Sequence, residues 1–301
     1  MKEKYKLMNI LERIRTKYYR VRDKYYGKKC YRFVKKSPMQ YGIYTGTDRE
    51  EVYIVSMASY AGRYEVLPLA LKSLLLQNTK PDRIIVWLDE EKKENALTSE
   101  LKELCKYGVE FRFTDDNIKP HKKYLYAMME FPEACIITVD DDLIYSADLL
   151  ESLIIYHKQF PECVCARRVH KITFDENGNV KPYQRWEYEY RKAKNPSFNL
   201  CATGGAGVLY PPNILPLDAL KINKIRELSL EADDIWLKVM ELCNKIKVVW
   251  VKNKYVMPLE IENSQCTSLN STNVGKGKND IFLEKLFYEY PEALKTLKDN
   301  F

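Results

Sequence analysis

The chain has 301 residues, of which 46% are hydrophobic and 30% charged, and its formal net charge is +7. This balance is typical of a globular protein and excludes a wholly disordered chain. The 11 glycines and 13 prolines are too few for a collagen-like or linker-dominated architecture. We find no apolar run near the roughly 18–20 residues that cross a bilayer and no signal-peptide core near Met1, so we expect a cytoplasmic protein.

The positive charge is concentrated at the N-terminus. Residues 1–36 contain 14 lysines and arginines against Glu3, Glu12 and Asp23, so the remaining 265 residues carry a net charge of −4. Apolar residues recur in steps of four and three at Leu7, Leu11, Ile14, Tyr18, Val21 and Tyr25. This spacing predicts an amphipathic helix with basic flanks, and we treat residues 1–45 as a separate basic helical segment.

Three roles are open for this helix. It could lie on an anionic membrane surface, pack on the body or on a second copy of the chain as a homodimer, or grip RNA. The apolar stripe between basic flanks favours the membrane, so we expect a peripheral protein on the inner face of the cell membrane through residues 1–36. We expect no nucleic acid partner.

From Glu51 onwards the pattern alternates between strands and helices. The predicted strands are 52–56, 84–88, 109–113 and 135–139, and the predicted helices centre on 67–75, 97–105 and 124–129. This rhythm predicts an α/β fold with a parallel, doubly wound sheet. The later elements are a helix at 146–160, a strand at 164–169, a hairpin around Asn177-Gly178, a helix at 233–243 and a strand at 248–251. A polar stretch follows at about 263–279.

The eight cysteines are scattered along the chain. We interpret them as reduced packing residues, because a long cytosolic chain needs no disulfide scaffold. Cys163 and Cys165 lie on one face of a predicted strand with His170 nearby, but a zinc site lacks an evident fourth ligand.

Three aspartates, Asp140, Asp141 and Asp142, directly follow the most apolar predicted strand, 135–139. Ligands bind at the carboxyl ends of strands in open α/β sheets. Three crowded carboxylates resist ionising together unless a cation offsets them, which favours Mg²⁺ or Mn²⁺. The alternative is a solvated turn with an aspartate cap for the next helix.

A second acidic group, Glu231-Ala-Asp233-Asp234, opens the helix at 233–243. Acidic residues are ordinary capping residues at a helix N-terminus. As a second carboxylate centre about 90 residues after the first, however, they suggest a group transfer that uses a metal and a base. The glycines of 204–207 form either a wall close to the substrate or a plain turn.

Together these features resemble glycosyltransferases of the GT-A fold, particularly family 2-like bacterial enzymes that build capsules and lipopolysaccharide. The resemblance covers about residues 50–260 and rests on four segments: Ile54–Ser59, Asp140–Asp142 as a D-x-D motif, Gly204–Gly207 and Asp233-Asp234. It implies a mostly parallel, doubly wound sheet flanked by helices, with a smaller acceptor-side sheet. Residues 50–260 would form the catalytic domain, and residues 261–301 a C-terminal loop and helices that complete the site.

The resemblance also implies roles for single residues. Asp142 would bind the metal directly, and Asp140 would bind it through water or contact the donor ribose. Asp234 would be the catalytic base, and Asp233 would orient the acceptor. The residues implied to bind the donor are Ser56, Ala58, Ser59, Arg63, Asp89, Lys119, Lys123, Asp140, Asp141, Gly204, Gly205, Lys276 and Lys278.

The implied reaction moves a hexose-like sugar from a nucleotide sugar, preferably a UDP-sugar, to a glycan or lipid-linked saccharide in surface polysaccharide synthesis. We expect inversion at the anomeric carbon and a Mn²⁺ or Mg²⁺ cofactor. No histidine follows His170, so either Asn263, Gln265 or water would replace the late histidine ligand of many relatives, or the metal would keep a more open coordination shell. The helix N-terminus would keep the Asp234 carboxylate ionised.

Two other functions stay open. A sugar nucleotidyltransferase also combines an α/β sheet with metal-bound carboxylates, but Ser56–Arg63 has only one glycine and one arginine for its phosphate loop. A non-enzymatic membrane- or RNA-binding adaptor would use the basic helix and would leave both acidic clusters unexplained.

Overall fold

The computed structural model describes residues 2–89, 97–253, 257–261 and 277–300, with side chains from Ile14 onwards. The strands are β1 (Tyr53–Ala58), β2 (Arg83–Asp89), β3 (Val109–Thr114), β4 (Cys135–Val139), β5 (Leu143–Ile144), β6 (Cys163–Ala166), β7 (Val169–Lys171), β8 (Leu200–Ala202), β9 (Val208–Tyr210), β10 (Lys247–Trp250) and β11 (Leu259–Glu260). The α-helices are α1 (Lys2–Lys36), α2 (Leu67–Leu75), α3 (Ser99–Leu104), α4 (Lys122–Glu130), α5 (Leu149–Gln159), α6 (Ile222–Leu228), α7 (Asp233–Cys243), α8 (Lys278–Glu289) and α9 (Pro291–Asp299).

Seven strands form the central sheet in the order β10-β6-β9-β4-β1-β2-β3. Neighbouring strands are parallel except at β9, which runs antiparallel to both β4 and β6. Two small antiparallel pairs, β5–β11 and β7–β8, lie outside this sheet. The predicted mostly parallel sheet with a smaller additional sheet is therefore confirmed.

Helices cover both faces of the sheet. Leucines of α2 and α5 pack with Val55, Met57 and Ile137 in one buried cluster. Tyr124 of α4 and the apolar face of α7 belong to another. Strand β4 is buried along its whole length, as its continuous apolar run predicts for a strand covered on both sides.

The structure differs from the sequence prediction after α5. The single strand predicted at 164–169 is divided into β6 and β7, because Arg167 and Arg168 leave the central sheet. The predicted hairpin has only one bridge, Phe174–Val180. The Asp175 carboxylate accepts hydrogen bonds from the backbone N–H groups of Asn177 and Asn179, so its side chain holds the turn in place of a longer strand ladder.

The C-terminal helices fix the position of α7. Leu286 of α8 and Ala293 of α9 are buried in the same apolar cluster as α7. The rings of Trp236 and Tyr290 meet edge to face at 6.2 Å. Because α7 begins at Asp233, this packing sets where its first carboxylates point.

The N-terminal basic segment is helical, as its sequence predicts, and forms α1. Val34 near its end packs with Val66 and Ile144. In the part of the chain that the structure describes, no helix is both long and apolar enough to cross a membrane.

Candidate active site

A cavity of about 950 Å³ lies at the carboxyl ends of β1, β2 and β4. This is where ligands bind in open α/β sheets. Most of the residues predicted from the sequence line it: Ala58, Ser59, Arg63, Asp89, Lys119, Lys123, Asp140, Asp141, Asp142, Gly205, Asp233 and Asp234. The two acidic segments, about 90 residues apart in the chain, therefore share one cavity.

Of the aspartates after β4, Asp141 and Asp142 are buried and Asp140 is half-buried. Asp141 accepts a hydrogen bond of 2.6 Å from the Ser59 hydroxyl, and the Arg63 guanidinium lies 3.2 Å from an Asp142 oxygen. Burial raises the pKa of Asp141 to about 6. Burial, followed by repulsion from Asp140 and Asp141, raises the pKa of Asp142 to about 7. Arg63 thus offsets only part of the negative charge at this position.

A fourth carboxylate reaches this cluster from a distant part of the chain. Strand β11 pairs with β5, which places Glu260 opposite Leu143, and the backbone N–H of Ile261 donates to the Asp142 carbonyl at 2.9 Å. Glu260 lines the cavity and is one of the groups that raise the pKa of Asp142. Sequence reasoning missed Glu260, because a two-residue strand has no readable periodicity.

Lys123 joins the two acidic segments. Its ammonium group donates to Asp140 Oδ1 at 2.8 Å and lies 2.9 Å from Asp233 Oδ2. Burial alone would lower the pKa of Lys123, but Asp140, Asp233 and Asp234 outweigh burial and hold this pKa well above its ordinary value. Lys123 was expected to bind the donor, and in the structure it is buried and forms ion pairs with carboxylates of both segments.

The glycine turn holds Asp234 in place. The backbone N–H of Gly204 donates to Asp234 Oδ1 at 2.8 Å. A Cβ at Gly204 would lie 2.8 Å from Lys123 Nζ, and a Cβ at Gly205 would lie 2.8 Å from Asp140 Oδ2. A side chain at either position would therefore have to displace the end of Lys123 or Asp140, which would disturb the charged groups of the cavity rather than the backbone of the turn.

The two carboxyl groups at the start of α7 have opposite pKa shifts. Burial, with repulsion from Asp233, raises the pKa of Asp234 to about 7. Burial opposes ionisation of Asp233 as well, but Lys123 and His121 lower its pKa. The helix N-terminus was expected to keep Asp234 ionised. The raised pKa of Asp234 runs against this expectation, because burial and repulsion from Asp233 outweigh Lys123 and the Gly204 hydrogen bond.

One carboxylate at the cavity wall binds two of the lysines that were expected to bind the donor. Glu231 accepts from Lys119 at 2.8 Å and from Lys278 at 2.6 Å, and these bonds lower its pKa to about 2. Lys278, at the start of α8, is held at the cavity through Glu231 rather than being one of its lining residues. Lys276, Asn263 and Gln265 lie outside the described residues.

Ser56 is placed differently from its prediction. It lies on the α4 face of β1, fully buried, and its hydroxyl accepts a hydrogen bond of 2.9 Å from the Trp87 indole. Residues alternate between the two faces of a strand, and Ser56 is two positions before the strand ends. Its side chain is therefore part of the core. Asp89 does lie at the cavity, where it is paired with Lys122.

The wall beyond the aspartates was not predicted from the sequence. It includes Arg168, His170, Tyr183, Tyr188 and Glu189. The backbone N–H of Glu189 donates to His170 Nδ1 at 3.0 Å, so this histidine is neutral, and burial followed by Arg168 lowers its pKa to about 3. Only His170 was singled out in the sequence, as a weak zinc candidate.

A separate group of metal-binding residue types lies at the opposite end of the sheet. Glu51, Cys135 and His157 bring possible ligand atoms within 4.8 Å of one another. Glu51 precedes β1 and Cys135 begins β4, so this group is at the amino ends of strands whose carboxyl ends form the cavity. It does not coincide with the Cys163, Cys165 and His170 set considered from the sequence.

The arrangement combines three chemical capabilities. Asp140, Asp142 and Glu260 carry carboxylate oxygens, the ligand type that hard divalent cations prefer, although in the described residues these oxygens are not all within 4.8 Å of one another. Lys119, Arg63 and Lys122 supply positive charge around the same cavity. Asp234, with a pKa near 7, is matched to accepting a proton from a hydroxyl group at neutral pH.

Three comparisons relate this chain to known proteins. A search of curated proteins finds no match. Among solved structures, S. aureus TarS 1–349 in complex with UDP is similar with a TM-score of 0.44 and 14% identity, over 67% of this chain and 58% of that one. The mannosyltransferase PcManGT from Pyrobaculum calidifontis, in complex with GDP-Man and Mn²⁺, has a TM-score of 0.46 and 11% identity, over 95% of this chain and 83% of that one.

The sequence itself carries the assignment. The model of glycosyl transferase family 2 matches residues 55–211, which is just over half of the chain. The matched region runs from β1 through the aspartates after β4 to the glycine turn and β9. The chain therefore belongs to glycosyl transferase family 2.

Proposed function

We propose that this protein transfers a sugar from a nucleotide sugar, preferably a UDP-sugar, to a hydroxyl group of a glycan or lipid-linked saccharide in surface polysaccharide synthesis. One observation carries the proposal: the carboxylates after β4 and those at the start of α7 converge on one cavity and are bridged by Lys123. A helix cap and a solvated turn can each form without a buried lysine that also contacts a second acidic cluster, so these two alternatives do not explain the bridge.

A divalent cation fits the residues after β4. The high pKa of Asp142 arises from burial and from Asp140 and Asp141, and this crowding would be relieved by a cation. Asp140 and Asp142 would hold the metal, and Glu260, which lines the same cavity, would supply a further oxygen ligand in place of a late histidine. When bound, Mn²⁺ or Mg²⁺ would supply Lewis-acid stabilisation to the diphosphate leaving group.

The chain's own residues support the other half of the reaction. The acceptor oxygen would attack the anomeric carbon while the bond from that carbon to the diphosphate oxygen breaks. Asp234 would take the proton of the acceptor hydroxyl, and its pKa of about 7 suits that task. A single displacement of this kind inverts the anomeric configuration.

Donor and acceptor would occupy opposite sides of the cavity. Ala58, Ser59, Arg63 and Asp89 lie at the ends of β1 and β2, where a nucleotide would bind. Tyr183 and Tyr188 line the same cavity with their aromatic side chains, and Tyr183 is close enough to Asp234 for that carboxylate to act on its pKa. Such surfaces suit the apolar faces of sugar rings, which supports a saccharide acceptor.

A thermal-shift experiment tests donor class and metal dependence together. UDP and GDP are each added to the full chain with and without Mn²⁺, and we expect UDP with Mn²⁺ to raise Tm most, because a ligand that binds only the folded state stabilises it. Asp142→Ala should lose the Mn²⁺-dependent part of the shift, whereas the surface variant Asp299→Asn should keep it. A UDP shift of equal size without metal would contradict the metal site, and no shift with either nucleotide would contradict the donor class.

A product assay separates transfer from nucleotidyl chemistry. Sugar transfer releases a nucleoside diphosphate, and a nucleotidyltransferase releases pyrophosphate. Release of pyrophosphate from a sugar phosphate and a nucleoside triphosphate would overturn the proposal.

A further inference from the structure

Helix α1 has two faces with different environments. The inward face is tied to the body by Asp23, which forms a buried ion pair of 2.5 Å with Arg191, and by Gly27, where a Cβ would lie 2.9 Å from Leu259 Cβ. Val34 extends this contact into an apolar cluster with Val66 and Ile261. The helix is therefore already docked on the protein by the face opposite its apolar stripe.

The outward face carries the stripe itself. Ile14, Tyr18, Val21 and Tyr25 are each 57–64% exposed, although they follow the spacing of a buried helix face. Leu7 and Leu11 continue the same spacing in the sequence. Packing on the body thus accounts for the inward face of α1 but leaves its main apolar stripe exposed. The ring contacts of Tyr18 and Tyr25, with Tyr19, Tyr26 and Lys29, are made within α1 itself.

The charge on the outward face is of one sign. Between residues 14 and 36 the exposed charged residues are Arg15, Lys17, Arg20, Lys24, Lys28, Lys29, Arg32, Lys35 and Lys36. The acidic residue of this stretch, Asp23, points inward to Arg191. An exposed apolar stripe with tyrosines, bordered on both sides by basic residues, is the pattern of a helix lying in the plane of a membrane interface.

We infer that the outward face of α1 is a docking surface for an anionic phospholipid bilayer. The apolar stripe would enter the boundary between headgroups and acyl chains, and the basic residues would contact lipid phosphates. Attraction to the surface would fall with rising ionic strength, because these charges are exposed.

Charge and composition favour the bilayer over two other occupants. A second copy of α1 would bring two strongly cationic faces together, with no exposed acidic residue between positions 14 and 36 to offset the repulsion. RNA would pair with the basic residues and stack on the tyrosines, but it would leave Ile14 and Val21 exposed.

The docked helix is connected to the walls of the cavity. Arg191, which binds Asp23, also lies 3.3 Å from Glu189, a cavity-lining residue. On the other side, Leu259 packs against Gly27 and is followed by the cavity-lining Glu260. The thickness of α1, about 10–12 Å for a helix with its side chains, would therefore separate a bilayer from the segments that carry these wall residues. If the protein transfers sugars as proposed above, docking of α1 on a bilayer would bring the cavity close to acceptors that are linked to lipid.

Vesicle binding tests the docking surface without any assay of transfer. The full chain is sedimented with vesicles of phosphatidylcholine alone and with vesicles containing 30% phosphatidylglycerol, a proportion chosen to be roughly that of an anionic leaflet. We expect at least about tenfold stronger partitioning to the anionic vesicles, falling as salt is raised. Binding that is equal for both vesicles, or absent for both, would overturn the inference.

Matched variants assign the binding to α1. Replacing Ile14, Val21 and Tyr25 by serine, or Arg20, Lys24 and Lys28 by glutamate, should each lower the anionic partitioning by about tenfold or more. The controls are Leu217→Ser with Tyr288→Ser, at positions 82% and 89% exposed, and glutamate at the exposed Lys102, Lys295 and Lys298. Circular dichroism and Tm verify folding of every variant.

Several outcomes would overturn the proposal. The first is an equal loss of anionic-vesicle partitioning in the control variants. The second is a stable dimer, seen by light scattering, that dissociates when the apolar stripe is substituted. The third is stronger binding to RNA than to anionic vesicles. Vesicle binding with no transfer of any sugar would instead count against the proposed function and leave the docking surface supported.

Discussion

Single residues at this site are constrained by charge as much as by space. Gly205 illustrates this, because a Cβ at this position would lie 2.8 Å from Asp140 Oδ2. The Tyr145 hydroxyl also donates to the Gly205 carbonyl and accepts from the backbone N–H of Asp140, so the glycine turn and the aspartate segment are directly linked.

Gly205→Ala should therefore impair activity more than folding. The new methyl group must displace the Asp140 carboxylate, so we expect transfer and Mn²⁺ affinity to fall at least about tenfold, a loss of about 1.4 kcal/mol in binding. Gly178→Ala is the control, since its φ of +77° costs about 1 kcal/mol but no atom lies within 4 Å of the added Cβ. Normal turnover and metal affinity in Gly205→Ala would show that Asp140 is not held against the turn.

Asp234→Asn tests the proposed base. An amide cannot take the acceptor proton, so we expect the rate of transfer to fall by roughly 10²–10⁴-fold, the usual effect of general acid–base catalysis. UDP affinity and Tm should stay close to wild type, because the amide oxygen can still accept from the Gly204 N–H. Asp299→Asn, on an exposed helix end, should keep full activity. Wild-type turnover in Asp234→Asn would remove this residue from catalysis.

For single residues, the sequence identified the candidate aspartates but not the side chains that contact them. Asp140, Asp142 and Asp234 stood out because acidic runs follow a buried strand or open a helix. Their pKa values could not be predicted, because burial and the approach of Lys123 come from the packing of separate elements.

Among the elements, α7 carries an unusual internal ion pair. Lys238 and Glu241 are each 1% exposed, with Lys238 Nζ donating to Glu241 Oε2 at 2.9 Å, and burial raises the pKa of Glu241 despite this partner. Charges in the interior are costly unless they are paired. The pair lies on the same helix whose first turn positions Asp233 and Asp234.

Replacing one residue of the Lys238–Glu241 ion pair should destabilise the protein more than replacing both. Lys238→Met leaves a buried unpaired carboxylate, for which we expect a loss of about 3–5 kcal/mol in the free energy of unfolding measured with urea. The double variant Lys238→Met, Glu241→Leu should recover most of this loss, because no unpaired charge is left. A double variant as unstable as the single one would show that packing, rather than charge, sets the cost.

The elements were predictable where local pattern was strong. The bounds of β4 and α7 agree with the apolar run at 135–139 and the amphipathic helix at 233–243. Strands β8 and β9 have three residues each, too few for alternation to be read. The insertion of β9 between β4 and β6, antiparallel to both, depends on pairing across the sheet and has no local signal.

For the whole molecule, the free energy of unfolding should depend on pH through two kinds of buried group: a histidine that destabilises the folded state as pH falls, and aspartates that stabilise it. Burial lowers the pKa of His121 to about 4, so the folded state holds this ring neutral while the unfolded chain takes up a proton below about 6.5. The pKa of Asp142 and that of Asp234 are raised to about 7, so these groups favour the folded state as pH falls from 7 to 4. The two effects oppose each other in the total.

A difference between variants isolates the histidine. His121 Nε2 lies 2.8 Å from the Ser229 carbonyl, a contact that the amide nitrogen of His121→Gln can replace without titrating. The unfolding free energy of wild type minus that of His121→Gln should fall by on the order of 3 kcal/mol between pH 7 and pH 4. Urea titrations at several pH values measure this difference, and a value independent of pH would show that His121 is not buried as a neutral ring.

The sequence by itself determined the α/β fold, the basic N-terminal helix and the presence of two acidic segments, because each depends on residues close together in the chain. Only the tertiary structure decided that Lys123 bridges those segments, that Glu260 joins the first of them, and that the apolar stripe of α1 faces away from the body. Each of these depends on contacts between residues far apart in the chain, and burial at those contacts sets the pKa of Asp234, which local spacing cannot encode.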